Sequence, residues 1–186
     1  MATFQKDGLW VQGGSGKLEN VSEDTPFVPG QVGRVMSIRS TDSKVPRFYQ
    51  YVLRSTTETA AAAAGGPAYW ADLDDFVVTP DSARSLGGTT TPTVAGVWLG
   101  TSPAAGKYGF IQIDGVAALA VTDTGLVGER LVANGTNFKA LAAITITSQA
   151  VSVPLNQDHV AIAVSSFETA LNSSYDAKIF CLRNGW

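Results

Sequence analysis

From Ala68 onward the sequence is a succession of short apolar, β-branched or aromatic runs, interrupted about every ten residues by turn-forming residues. The runs are AYWA, DFVVT, TVAGVWLG, YGFIQI, VAALAVT, ERLVA, FKALAAI, AVSVPL, HVAIAVS and AKIFCLR. Among the interruptions are Gly87-Gly88, Asp114-Gly115, Thr124-Gly125 and Asn134-Gly135. Asp-Gly and Asn-Gly accommodate the positive φ angles that tight hairpins demand. No other feature constrains the chain as strongly. It predicts a mainly β fold, an antiparallel sandwich or barrel, with an extended N-terminal arm and one or two short helices.

The arm is residues 1–31. Gly- and Pro-punctuated stretches such as QGGSGKLEN and TPFVPGQVG surround Phe4, Trp10, Val11, Phe27 and Val28, whose spacing fits neither one helix nor one strand. Aromatic residues on such an arm are expected to dock on the chain's own core or on a neighbour. Residues 32–186 form the β-rich domain, with a sub-boundary near 84–93 left open. VGRVMSI (32–38) and RFYQYVLRS (47–55) read as its first strands. TTETAAAAAGG (56–66) has the alanines, the capping threonines and the terminal Gly65-Gly66 of a short helix, but no apolar stripe, so helix and loop both stand. SSFETALNSS resembles a capped helix late in the chain.

KYGFIQIDGVAALAV (107–121) reads as two strands joined at Asp114-Gly115. Tyr108, Phe110 and Gln112 alternate with Gly109, Ile111 and Ile113, and Val116, Ala118 and Ala120 with Ala117, Leu119 and Val121. Faces apolar on both sides belong between two layers. Either this is a central strand inside one domain or it faces another subunit. On the second reading Tyr108 and Phe110 join Phe4, Trp10, Val11 and Phe27 as partner contacts.

Chemistry is hard to find. The single histidine, His159, opens a strand-like run and has no partner that sequence can place. The single cysteine, Cys181, lies in the apolar run KIFCLRNGW and reads as a buried thiol; the lack of bridges suits a reducing compartment. One His and one Cys do not make a common zinc site. GGSGK lacks the first glycine and the following Ser/Thr of a phosphate loop. ADLDDFVVTPD clusters Asp72, Asp74, Asp75 and Asp81 without the glycine and distal glutamate of a calcium loop, so these read as solvated turn carboxylates. No catalytic residue, cofactor or metal is assigned, and the chain is not expected to be an enzyme. Thirteen Lys and Arg are scattered among sixteen acids, for a net charge of −3, which argues against a nucleic-acid partner. No secretory leader or apolar run of membrane-spanning length is seen, so synthesis in a cytoplasm is expected and no membrane partner. Charged residues make up 16% of the chain, against about a quarter in ordinary globular domains. Such a surface offers little repulsion to a like copy or another partner.

The series VGRVMSI, FYQYVLRS, AYWADLDDFVVTPDS, VAGVWLG and AGKYGFIQIDG, spanning Val32 to Gly115, resembles the head decoration (cement) proteins of tailed bacteriophages. The resemblance implies a β-rich, often trimeric protein on the outer capsid surface of the virion, bridging major capsid protein subunits. It implies nothing residue by residue for the N-terminal arm. A glycan-binding or fibre-type virion module is the alternative, with Trp70, Trp98 and Trp186 as stacking platforms, although Trp70 and Trp98 lie in strand-like phrases that suit a core.

Overall fold

The computed structural model describes residues 5–6, 9–10, 22–25, 31–38, 46–58, 60–89, 92–100, 103–122, 130–140, 161–163 and 173–180. Twelve strands are found among them: β1 (Gln5–Lys6), β2 (Leu9–Trp10), β3 (Val35–Ile38), β4 (Arg47–Arg54), β5 (Pro67–Asp72), β6 (Val77–Thr79), β7 (Val94–Trp98), β8 (Tyr108–Val121), β9 (Arg130–Asn134), β10 (Asn137–Ala140), β11 (Ala161–Ala163) and β12 (Ser173–Phe180). The fold is mainly β, and its centre is a closed five-strand barrel. Its only helical element among the described residues is a 3-10 turn, Ser82–Arg84, capped by the Asp81 carboxylate, which accepts from the Ala83 N–H at 3.0 Å.

The barrel closes in the order β4, β8, β7, β5, β6 and back to β4. Every pairing is antiparallel except β6 with β4, which is parallel at Leu53↔Val77 and Arg54↔Val78. A second circuit of hydrogen-bonded strands runs β8, β12, β11, β9, β10 and back to β8. It too is antiparallel except at its closing step, β10 with β8 at Phe138↔Val121. The two circuits have β8 in common: last strand of the first, first strand of the second.

β8 corrects one expectation. Residues 107–121 are not a hairpin; fourteen of them form a single strand with β4 along its first half and β12 along its second. Asp114-Gly115 marks the change of neighbour. Gly115 takes φ +95°, and a Cβ there would come within 2.7 Å of the Pro46 carbonyl, so the positive φ and the close approach both require glycine. The Gln112 side-chain amide donates to the Asp114 and Val116 carbonyls at 3.1 Å each, and the Asp114 carboxylate accepts from the Gly115 N–H at 2.6 Å. A register shift against β4 falls at the same place.

One main core links the two circuits. Val52, Trp70, Val97 and Ile111 of the first pack in a cluster that continues through Ala117, Leu119 and Val121 to Leu131 and Phe138 of the second. A smaller cluster of Met36, Tyr49, Tyr51 and Phe110 lies on the other face of β4 and β8, with Val32, Leu99 and Tyr108 against it. Both faces of the first half of β8 are therefore apolar because each covers a different cluster. At about 1.5–3 kcal/mol for each large side chain buried, this double burial is a main source of stability.

Thr56–Gly66 contains no helix among its described residues. Gly65 and Gly66 instead lie where four elements meet. The Gly65 N–H donates to the Trp98 carbonyl (2.9 Å), the Trp98 N–H to the Gly66 carbonyl (2.9 Å) and the Ala120 N–H to the Gly65 carbonyl (3.0 Å). A Cβ on Gly66 would come within 2.7 Å of the Thr136 carbonyl in the β9–β10 connection. The runs AVSVPL and most of SSFETALNSS lie outside the described residues; the last two serines of the latter begin β12.

Candidate functional site

Part of the arm is held by the chain itself. Glu23 pairs with Tyr108, each N–H donating to the other's carbonyl at 3.0 and 2.8 Å, while the Ser22 hydroxyl accepts from the Ala104 N–H at 3.0 Å. Asp24 forms an ion pair with Lys107. Glu23 thus makes an isolated bridge to the first residue of β8, and its neighbours Ser22 and Asp24 hold the segment to the turn before it.

Of the six expected contact residues, Phe4, Val11 and Phe27 lie outside the described residues, and Trp10 is placed by its backbone in β2. Phe110 is 1% exposed and belongs to the smaller core cluster, its ring 4.9 Å from that of Tyr51. Tyr108 is half-buried against the same cluster and stacks on Tyr51 at 6.1 Å. The structure thus places both tyrosine and phenylalanine in packing within this chain, because the segment 31–36 and β3 cover the face that they share with β4.

The exposed large apolar residues among the described ones are instead Val35 (42%), Leu73 (41%) and Leu86 (38%). Leu73 opens the β5–β6 turn that ends at Phe76, whose ring lies against Trp70 and directly over Gly33, two residues before Val35. The Leu86 N–H donates to the Trp70 carbonyl at 2.7 Å. Val35 stands on β3, which among the described residues pairs with β4 alone and so ends the sheet. An exposed strand edge with apolar residues is a place where another chain can add. Single residues gave no signal for this: Val35 belongs to an ordinary apolar alternation, and only the topology shows that the sheet stops there.

The polar candidates have structural duties. The Asp72 carboxylate accepts from the Asp74 and Asp75 N–H groups at 2.9 and 3.2 Å, stabilising the β5–β6 turn, and Asp81 caps the 3-10 turn. Among the described residues no group of three or more His, Cys, Asp or Glu could hold a metal ion. His159 and Cys181 lie outside them. Arg54 and Glu58 form a buried ion pair; the guanidinium also donates to the Pro103 carbonyl at 2.8 Å and lies 5.6 Å from the centre of the Trp98 ring. Tyr69 donates to the Gly135 carbonyl at 2.5 Å, tying the first circuit to the second, and burial pushes its phenol well above the usual tyrosine range. Trp70 and Trp98 are core residues, so neither offers a face to a sugar ring. No protein-family model matches the chain, and comparison with curated proteins finds no relative.

Proposed function

We propose that this protein is a capsid decoration protein of a tailed bacteriophage, which binds the outer surface of the head as a homotrimer and bridges major capsid protein subunits. The observation that carries the reading is the edge of β3, unpaired among the described residues and bearing the exposed Val35. Such an edge can add another chain by main-chain pairing, and the scaffold behind it is held by a main core that spans both circuits. A durable tie between capsid subunits needs on the order of 1,000–2,000 Å² of buried surface with apolar anchors. Three copies engaging neighbouring subunits together would add avidity of about 10²–10⁴-fold. Such work draws on area and main-chain pairing and needs no titratable group.

The test is co-sedimentation of the purified protein with heads of the virus that encodes it, stripped of surface proteins. Saturable binding in symmetric stoichiometry, with a rise in the temperature at which the heads rupture, is expected. Protein that stays in the supernatant at micromolar concentration would overturn the proposal, and hits on a glycan array would favour the fibre-type module.

A further inference from the structure

The two strand circuits are the same construction made twice. In each, a first strand pairs with the fifth, the fifth with the fourth, the fourth with the second and the second with the third, all antiparallel, and the third returns parallel to the first. β4 to β8 follow this scheme in chain order, and so do β8 to β12. Each circuit is therefore two consecutive hairpins closed by the last strand of the hairpin before them.

The first four strands begin the same series. A shift of 62 residues carries the β3–β4 pairs Val35↔Gln50 and Met36↔Tyr49 onto the β7–β8 pairs Val97↔Gln112 and Trp98↔Ile111. It also superimposes Phe48 on Phe110 and Gln50 on Gln112. β1–β2 matches β9–β10: Gln5↔Trp10 and Lys6↔Leu9 correspond to Ala133↔Phe138 and Asn134↔Asn137, with two residues between the inner pair in both. The described strands thus group as three successive pairs of hairpins, β1–β4, β5–β8 and β9–β12, of which the second and third are joined hairpin to hairpin.

One join of that pattern is unmade. In the second unit the first hairpin lies on the second through β5 with β7, and in the third through β9 with β11. In the first unit, among the described residues, β1–β2 forms a sheet of its own and β3 keeps an unpaired edge. Exposure records the difference: Val97 is 1% exposed, whereas Val35, its counterpart, is 42% exposed. Trp10 holds the position at which Phe138 is fully enclosed. A two-stranded hairpin this short is not stable alone in water and must join a larger sheet.

We propose that the β1–β2 hairpin of one copy docks on the β3 edge of a second copy, as β5–β6 sits on β7. The repeat puts a β1–β2 hairpin at that edge, and a second copy is the occupant because, among the described residues, the chain's own hairpin pairs only within itself. The contact is head-to-tail, so each copy gives one hairpin and receives one, and a closed ring of copies satisfies every edge. The inference rests on the repeat; it assigns the β3 edge to the contact between copies rather than to the capsid, and it stands if capsid binding fails.

The test uses the full chain in a Cys181→Ser background. One preparation carries Gln5→Cys, the other Val35→Cys with a distinguishing tag; they are mixed, allowed to re-equilibrate and treated with a short bismaleimide. A cross-linked species containing one chain of each preparation is expected, and its absence overturns the proposal. Cross-linking within one chain of a Gln5→Cys/Val35→Cys double variant, at dilution, also overturns it, because the hairpin then serves its own chain. Light scattering is expected to show a discrete multiple of the 19.5 kDa chain. Val35→Glu should reduce that mass to one chain with an unchanged circular-dichroism spectrum. An assembly that survives both Val35→Glu and removal of residues 1–21 excludes the docking.

Discussion

Replacing Gly65 by alanine tests the junction between the two strand circuits. Gly65 has φ +75°, and a Cβ built on it lies 2.7 Å from both the Ala118 carbonyl oxygen and the Ala120 nitrogen. The left-handed backbone alone costs a non-glycine residue about 1–2 kcal/mol. The contacts add to this, because the obstacles are backbone atoms of β8 and no side chain can swing away. Relief means withdrawing the loop from β8, which gives up the Ala120 N–H to Gly65 carbonyl bond and strains the Gly65 N–H to Trp98 carbonyl bond. At about 0.5–1.5 kcal/mol each, these bring the loss to roughly 2–5 kcal/mol, a large share of the stability of an ordinary domain. Gly135→Ala is the control: its φ is +59°, yet nothing lies within 4 Å of the added methyl, so only the backbone cost of about 1–2 kcal/mol applies. Urea denaturation followed by tryptophan fluorescence reads both. With a slope of about 1–3 kcal/mol per molar, Gly65→Ala should lower the midpoint by about 1–2 M and clearly more than Gly135→Ala. Equal losses in the two variants would refute the close approach of this loop to β8.

Phe110→Ala should cost about 3–5 kcal/mol of folding stability, since the ring is enclosed by Tyr51 and its neighbours; an unchanged midpoint would return Phe110 to the surface. Tyr69→Phe removes the bond to the Gly135 carbonyl and should cost about 1 kcal/mol near neutrality. Because burial raises the Tyr69 phenol above its unfolded value, its contribution is complete below about pH 10 and falls at higher pH, where only the unfolded chain readily releases the proton. The gap between wild type and Tyr69→Phe should therefore hold up to about pH 10 and narrow above it in paired denaturation curves; a constant gap would contradict this. Glu58→Ala leaves the Arg54 guanidinium buried without its carboxylate and should cost about 3–5 kcal/mol, whereas Arg54→Met with Glu58→Leu should recover most of the loss. If the double variant is the less stable of the two, the pair stabilises the fold outright.

The mainly β fold is legible from spacing and turn chemistry. Gly87, Gly88, Gly115 and Gly135 all take positive φ, as their turn-like contexts predict. What those glycines do is less legible. Asp114-Gly115 carries the signature of a hairpin, but β12, more than fifty residues away in sequence, extends the sheet past it, and no local signal distinguishes a turn from a strand that changes neighbours. The alanine run before Gly65 has helical propensity that packing overrides, with Ala62 buried and the two glycines bound to β7 and β8. The free strand edge was the least legible. Phe110 and Val35 are both apolar residues in alternating runs, and only the layer over one and the missing neighbour beside the other separate core from edge. The repeat escapes sequence reading because its surviving matches, such as Phe48 with Phe110 and Gln50 with Gln112, are isolated positions within otherwise different strands.

Strand sharing explains where a chain of this design can meet others. A strand that ends one closed circuit and begins the next has neighbours on both edges, and here it has buried clusters against both faces of its first half as well. β8 therefore has little left to offer a partner, although its composition suggests an interface. The capacity to bind moves to the ends of the series, where a unit lacks the strand that its predecessor or successor would supply. β3 lies at such an end, with an edge unpaired among the described residues and an exposed valine whose counterpart one unit later is enclosed. The pairing scheme that closes each later unit is, among those residues, left open at β3, and the proposed second copy would complete it.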